Sequence, residues 1–259
     1  MLESYLRARL KEKQLLLMTH IVLGYPTFED SFKIIEAMVE AGVDLMELQI
    51  PFSEPIADGS VILHANQKSL AGGATVKKCI DFAEKVARAF DIPFLFMSYY
   101  NILFKYGVDR FLSAMTEVGI QGSIVPDLPP EEGQDYLEAM QKYELSPIFI
   151  FSPTTPDERM KYLASFGRSF IYCVARKGVT GAKTSFSEQL DRYLARCRKA
   201  TDLPLALGFG VKDKADIEFL KGKADIAVIG TQTIRLIDKE GAEAVGGFIK
   251  SLRQLPGSS

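Results

Sequence analysis

Leu45-Met46-Glu47-Leu48-Gln49-Ile50-Pro51-Phe52-Ser53-Glu54-Pro55-Ile56-Ala57-Asp58-Gly59 reads as a strand running into a loop. Leu, Met and Ile surround Glu47 as far as Ile50, and then Pro51, Pro55 and Gly59 break the pattern. Burying an ionised carboxylate among apolar side chains is costly, so a Glu in such a strand is either paired or used. We expect Glu47 to be used. Side chains alternate along a strand, which puts Val43, Leu45 and Glu47 on one face and Met46, Leu48 and Ile50 on the other. Asp58 adds a second carboxylate in the loop. Taken alone it is a turn residue, because Asp-Gly is a common turn dipeptide.

On either side of this stretch the chain alternates strand and helix. Before it, Leu15–Leu23 is apolar and ends at Gly24-Tyr25-Pro26, and Thr27 caps a helix to about Ala41 that Gly42 stops. Val43–Ile50 is the second strand, with helix to about Phe90 after the loop. Pro93–Tyr99 is a strand and Phe104–Val118 a helix; Gln121–Val125 is a strand and Glu131–Tyr143 a helix. Ser146–Phe151 is a strand and Thr155–Ser165 a helix. Ser169–Val174 is the sixth strand, followed by a glycine-containing loop to about Ser187 and a helix to about Lys199. Leu203–Leu207 leads into helix to about Lys221, and Ala224–Ile229 into helical sequence to about Leu252. Strands apolar on both faces and alternating with helices predict a parallel sheet covered by helices. Eight such units without a linker predict one (β/α)8 barrel domain over residues 1–259, preceded by an amphipathic helix over Met1–Gln14. The open doubly wound sheet is the alternative, and no Gly-x-Gly-x-x-Gly follows the first strand to support it.

Composition narrows the function. Net charge is −2, which gives no electrostatic footprint for nucleic acid or an anionic membrane. Cys79, Cys173 and Cys197 are widely spaced without a CxxC pair, which suits a reducing compartment. Two histidines and no Cys/His pairing leave a metal site without evident ligands. The first helix is too polar for a signal peptide or membrane anchor, so the expected location is the cytoplasm.

In such a barrel function lies at the carboxyl ends of the strands. Glu47 is expected there with Asp58, one carboxylate moving protons from a partly desolvated site while the other holds a donor on the substrate. Gly208-Phe209-Gly210 and Gly230-Thr231 follow the last two strands, where backbone N–H groups, a helix start and the Thr231 hydroxyl suit a phosphate. Ala175–Lys183, with Thr180 and Gly181, is either an active-site lid or a surface loop. His20 is expected as a pocket or core histidine, and His64 on a helix surface. Tyr99 and Tyr172 end their strands and either line a pocket for a flat aromatic substrate or fill the barrel top. Pro55, Phe104 and Pro129 form a candidate docking patch at loop tips.

Glu-Leu-Gln-Ile-Pro-Phe-Ser-Glu-Pro-Ile-Ala-Asp-Gly at 47–59 closely resembles the signature of the tryptophan synthase alpha subunit family. Leu-Gly-Tyr-Pro at 23–26, Ser-Tyr-Tyr-Asn at 98–101, Pro-Asp-Leu-Pro at 126–129, Arg-Lys-Gly-Val-Thr-Gly-Ala at 176–182 and Gly-Phe-Gly at 208–210 extend the likeness through nearly the whole chain. The resemblance implies retro-aldol cleavage of indole-3-glycerol phosphate to indole and glyceraldehyde 3-phosphate, in tryptophan biosynthesis. It implies Glu47 as general acid and base, and Asp58 as the partner of the indole N–H. It implies His20, Tyr99, Tyr172, Thr180 and Phe209 around the substrate, and Gly181, Gly210, Gly230 and Thr231 on the phosphate. It further implies a beta subunit carrying pyridoxal phosphate in an alpha2-beta2 assembly, with no cofactor in this chain.

The chain departs from that pattern at Gln49 (usually Gly), Glu54 (usually Asp), Ser60 (usually Pro), Leu63 (usually Gln), His20 (usually Phe or Tyr) and Thr231 (usually Ser). Those departures motivate an alternative, a chain that cleaves weakly or not at all and mainly activates a beta subunit. A third reading, the synthase that makes indole-3-glycerol phosphate, lacks a Lys and second Glu at suitable strand ends.

Overall fold

The computed structural model describes residues 2–175 and 183–253, with backbone only for 183–187. Nine short strands alternate with helices. The first half holds α1 (Leu2–Glu12), β1 (Leu16–Val22), α2 (Phe28–Glu40), β2 (Leu45–Gln49), α3 (Ser60–Ala71), α4 (Val76–Ala89), β3 (Phe94–Met97), α5 (Tyr100–Tyr106), α6 (Val108–Glu117) and β4 (Gly122–Ile124). The second holds α7 (Gln134–Lys142), β5 (Ser146–Ile148), β6 (Ile150–Phe151), α8 (Asp157–Phe166), β7 (Ile171–Val174), α9 (Lys183–Ala200), β8 (Leu205–Gly208), α10 (Lys214–Leu220), β9 (Ile226–Ile229), α11 (Thr231–Glu240) and α12 (Glu243–Arg253).

All pairings are parallel, in the order β5-β4-β3-β2-β1-β9-β8-β7-β6. The two ends of that order, β5 and β6, are pieces of the one strand expected over Ser146–Phe151, interrupted at Phe149. Arg168 N–H donates to Pro147 O at 3.1 Å and Tyr172 N–H to Phe149 O at 2.9 Å, so the ring closes across the break. This is the (β/α)8 barrel.

Two apolar layers follow from the alternation of each strand. Leu16, Met18, Leu45, Leu95, Ile124, Ile148, Ala206, Ile226 and Val228 point inward and fill the barrel. Leu2 and Leu6 of α1 join them, so the first helix stoppers the amino-terminal end. Leu17, Ile21, Met46, Leu48 and Ile50 point outward and pack with the helices. Each such fully buried side chain contributes about 1.5–3 kcal/mol relative to exposure. Val43 belongs to this outer layer, against the expectation that it shares the Leu45 face; it precedes the strand, before Asp44 turns the chain inward.

Helix punctuation is largely as expected. Thr27 caps α2 by accepting from Asp30 N–H at 3.1 Å. The stretch to Phe90 is two helices rather than one, because Gly72-Gly73 ends α3 and Thr75 caps α4. The predicted helix 104–118 is likewise split at Gly107, whose φ of +93° a side chain would resist.

Candidate active site

The period-2 pattern of β2 carries through to its last turn. Leu45 lies inside the barrel, Glu47 stands above it, and Gln49 above that, all three buried. The register of β1 against β2 sets His20 opposite Glu47 and Val22 opposite Gln49. His20 Nδ1 and Glu47 Oε1 lie 2.7 Å apart with both side chains only 5% exposed. The other oxygen, Glu47 Oε2, is buried without a partner, as are His20 Nε2 and Gln49 Oε1. Buried polar atoms left open in this way cost free energy unless something meets them, and they gather at one place.

Asp58 reaches the same place from the loop after β2. Its Oδ2 accepts from Gln49 Nε2 at 2.7 Å and from the Tyr99 hydroxyl at 3.1 Å. Tyr99 also accepts from Ala57 N–H at 3.1 Å, and its ring stacks on Phe52 with centroids 5.2 Å apart. Phe52 N–H donates to Asn66 Oδ1 at 2.8 Å. A loop that would otherwise sample many conformations is therefore tied to Tyr99, between β3 and α5, at one point and to α3 at another. The Pro-Asp-Leu-Pro motif has a related task, since Asp127 accepts from Tyr100 N–H at 2.9 and 3.1 Å and so holds the start of α5.

Electrostatics distinguish the groups. Burial alone would push His20 down, but the charge and hydrogen bond of Glu47, aided by Asp58 and Gln49, leave it above the ordinary histidine value. Burial pushes Asp58 up, and the Glu47 charge adds to it. His20, Gln49 and Tyr99 pull the other way without cancelling the rise. Tyr172 faces the mouth from β7, between Ile150 and Ala206 in register. Burial and then the charges of Glu47 and Asp58 hold its hydroxyl well above the usual tyrosine range.

Of the other residues singled out from the sequence, Gly230 faces His20, where an added Cβ would lie 3.4 Å from the His20 Cβ. It precedes Thr231, the first residue of α11. Gly210 has φ +85° and open space where a side chain would stand. Thr180 and Gly181 lie outside the described residues. Phe209 is not brought to the carboxylates: its ring is buried in the sheet–helix layer, 6.3 Å from that of Phe219. The strand alternation accounts for this, because Gly208 follows Ala206 inward and Phe209 therefore points out. His64 is exposed on α3, as expected, 6.4 Å from the Tyr25 ring.

Two connections were not evident in the sequence. Gln49 stands in the sequence only as a departure from the family pattern, whereas it bridges toward Asp58; His20 is expected there as a pocket or core histidine, whereas it pairs with Glu47. The signal for both was present in the alternation, since positions 47 and 49 share a face. At the loop tips Pro55 is buried, contrary to its expected place in a docking patch, and Ile56 is 80% exposed instead. Phe104 is 66% exposed and Pro129 is also exposed.

Residues 6–254 match the family described as tryptophan synthase alpha chain. The tryptophan synthase alpha chain of Desulforapulum autotrophicum is 66% identical over 252 residues, which are 97% of this chain and all of that relative. Tryptophan synthase subunit alpha from Legionella pneumophila superposes with a TM-score of 0.88 at 28% identity, covering 98% of this chain and 97% of its own. A chain in a structure of Mycobacterium tuberculosis tryptophan synthase does so with a TM-score of 0.89 at 28% identity, over 97% of this chain and 96% of its own. This likeness supports the lyase and not the alternative of an activator without cleavage. The chain belongs to the tryptophan synthase alpha chain family.

Proposed function

We propose that, in the carbon–carbon lyase reaction of this family, Glu47 is the general acid and base and Asp58 the electrostatic partner. The substrate is indole-3-glycerol phosphate. Glu47 gives a proton to the indole carbon that carries the side chain, and the ring becomes an indolenine-like cation. Asp58 accepts a hydrogen bond from the ring N–H and stabilises that positive charge. Glu47, now ionised, takes the proton of the neighbouring hydroxyl. The oxygen electrons form the aldehyde as the carbon–carbon bond breaks, and that bond's electrons return to the ring. Indole and glyceraldehyde 3-phosphate leave, and Glu47 ends with the proton it began with.

The observation that carries this reading is the state of Glu47. One oxygen is anchored by His20, while the other is buried and unpartnered beside a second carboxylate. A structural ion pair would satisfy both oxygens. Tyr99 and Tyr172 wall the site and His20 borders it, while Phe209 stays in the sheet–helix layer. Gly210, Gly230 and Thr231 bind the phosphate together with Gly181, and Thr180 serves the substrate; these last two lie outside the described residues.

Exposed Ile56, Phe104 and Pro129 suit docking of a beta subunit, in an alpha2-beta2 assembly whose pyridoxal phosphate belongs to the beta chain. No described helix is long and apolar enough to cross a membrane, and a cytoplasmic biosynthetic enzyme fits that. The test is indole release from indole-3-glycerol phosphate by the purified chain, with and without a beta subunit. Glu47→Gln should lower kcat by about 10²–10⁴-fold, the usual range for loss of a general acid–base group. A variant with undiminished kcat refutes the assignment.

A further inference from the structure

His20 and Gln49 are two buried polar side chains in the barrel mouth, and each holds one of the two carboxylates. His20 meets Glu47 across the β1–β2 register, and Gln49 meets Asp58 from two residues further along β2. Their remaining polar atoms, His20 Nε2 and Gln49 Oε1, are buried and reach no partner at hydrogen-bond distance. The groups that act on His20 are Glu47 and Gln49 from β2 and Asp58 from the following loop, with Tyr99, between β3 and α5, bonded to Asp58 and Tyr172 of β7 facing the two carboxylates. On the β9 side Gly230 stands against the ring and brings no charge.

We propose that His20 is a positioning and proton-sharing partner of Glu47: through Nδ1 it fixes Oε1, holds the pair's proton between turnovers, and leaves Oε2 as the oxygen that meets the substrate. This rests on the reading of Glu47 as the general acid and base. The ready enzyme carries one proton on the pair, either as imidazolium with carboxylate or as neutral imidazole with carboxylic acid. In both forms Nδ1–H donates to Oε1 across 2.7 Å, and the shared proton stands on Nε2 in the first and on Oε2 in the second. Glu47 delivers that proton to the indole carbon and recovers one from the substrate hydroxyl, so the pair's proton count is unchanged at the end. Gln49 serves the same arrangement from the other side by committing its amide N–H to Asp58.

The sign of the pH effect follows. A proton distributed over two sites is lost at a pH no lower than from one of them alone. The basic limb of kcat/KM therefore lies higher with His20 than without it. His20→Asn keeps a donor near the Nδ1 position but cannot carry the charge, and should move that limb down by about one pH unit.

A second readout needs no turnover. The chain has two histidines, so ¹⁵N-histidine NMR resolves two rings, and the one lost in His20→Asn is His20. In the unaltered protein it should stay protonated above the ordinary histidine range; in Glu47→Gln it should deprotonate at clearly lower pH, because burial is then opposed only by Asp58 and Gln49. An unchanged thermal unfolding midpoint reports that each variant is folded, with His20→Gln as the substitute if His20→Asn is not. A His20 titration indifferent to Glu47→Gln overturns the pairing. A titration that responds, combined with a basic limb unmoved in His20→Asn, overturns the catalytic role of the pair. If Glu47→Gln also keeps full kcat, the assignment of Glu47 itself has failed.

Discussion

Replacing Asp44 by Asn should destabilise the barrel from the end opposite the active site. Asp44 precedes β2, and its side chain is fully buried. Oδ1 accepts from Lys13 Nζ at 2.5 Å and lies 3.4 Å from Arg9; Oδ2 accepts from Leu17 N–H at 2.9 Å and from Arg253. Its carbonyl accepts from the Tyr5 hydroxyl at 2.9 Å. One carboxylate thus joins the α1 segment, β1, β2 and α12, bringing the two ends of the chain together under the barrel. Removing one partner of a buried ionic cluster costs about 3–5 kcal/mol. The three cations are 24–32% exposed and can turn toward water, which places the variant near the lower figure. At about 2–4 °C per kcal/mol for a chain of this size, about 3 kcal/mol lowers Tm by about 6–12 °C. The effect should depend on pH with a definite sign. Burial alone would push the Asp44 carboxyl up, but Arg253, Lys13 and the Leu17 N–H hold it below the ordinary value. A group depressed in the folded state stabilises fully above its unfolded pKa of about 3.9, and that stabilisation is lost as pH falls through the folded value. Calorimetry at pH 7 and at successively lower pH should therefore show the difference between the two proteins narrowing in acid. A Tm change below about 2 °C at pH 7, or a difference that does not narrow in acid, refutes the account of Asp44 as a charged clamp.

Tyr99→Phe removes the hydroxyl that serves both Ala57 N–H and Asp58, and should cost about 1–2 kcal/mol in kcat/KM for indole release, or about tenfold, with little change in Tm. A loss confined to Tm would show that the hydroxyl serves the core rather than the loop. Gly122→Ala places a Cβ 2.5 Å from the Ser146 carbonyl oxygen, where Gly122 of β4 stands opposite Ser146 of β5. Pushing those strands apart should lower stability by about 1–3 kcal/mol, measured by urea unfolding, and an unshifted midpoint would contradict the close approach.

What the sequence made legible was whatever depends on near neighbours along the chain. Alternation along 45–50 gave the inward face of Glu47, Thr27 gave a helix start, and repeated strand–helix units gave the barrel. What stayed hidden depends on neighbours across the sheet. That His20 meets Glu47 follows from β1 pairing with β2 in one register and not the next, and no local pattern states that register. Gln49 shows the same limit: its face was legible, while its partner sits in a loop nine residues on, placed by Tyr99 and Asn66. Phe209 and Val43 went astray at strand ends, where one residue of uncertainty exchanges inside for outside.

The two carboxylates differ in how they are held, and the difference suits their tasks. Glu47 stands on a strand paired on both sides, by β1 and β3, so its backbone cannot shift without breaking the barrel. A proton carrier must meet a carbon and then an oxygen within one bound substrate, and small displacements are costly there. Asp58 has no such frame. Its position comes from side chains, the Gln49 amide and the Tyr99 hydroxyl, and Tyr99 in turn grips the adjacent Ala57 N–H. Those are bonds that can be remade, and two residues before Asp58 the loop exposes Ile56. A contact on Ile56 that moves the loop would therefore act on Asp58 while leaving Glu47 where the barrel puts it. Coupling between a docked partner and this site should then fall on the step that needs charge stabilised at the ring N–H, and reciprocally substrate on Asp58 should alter the affinity at Ile56.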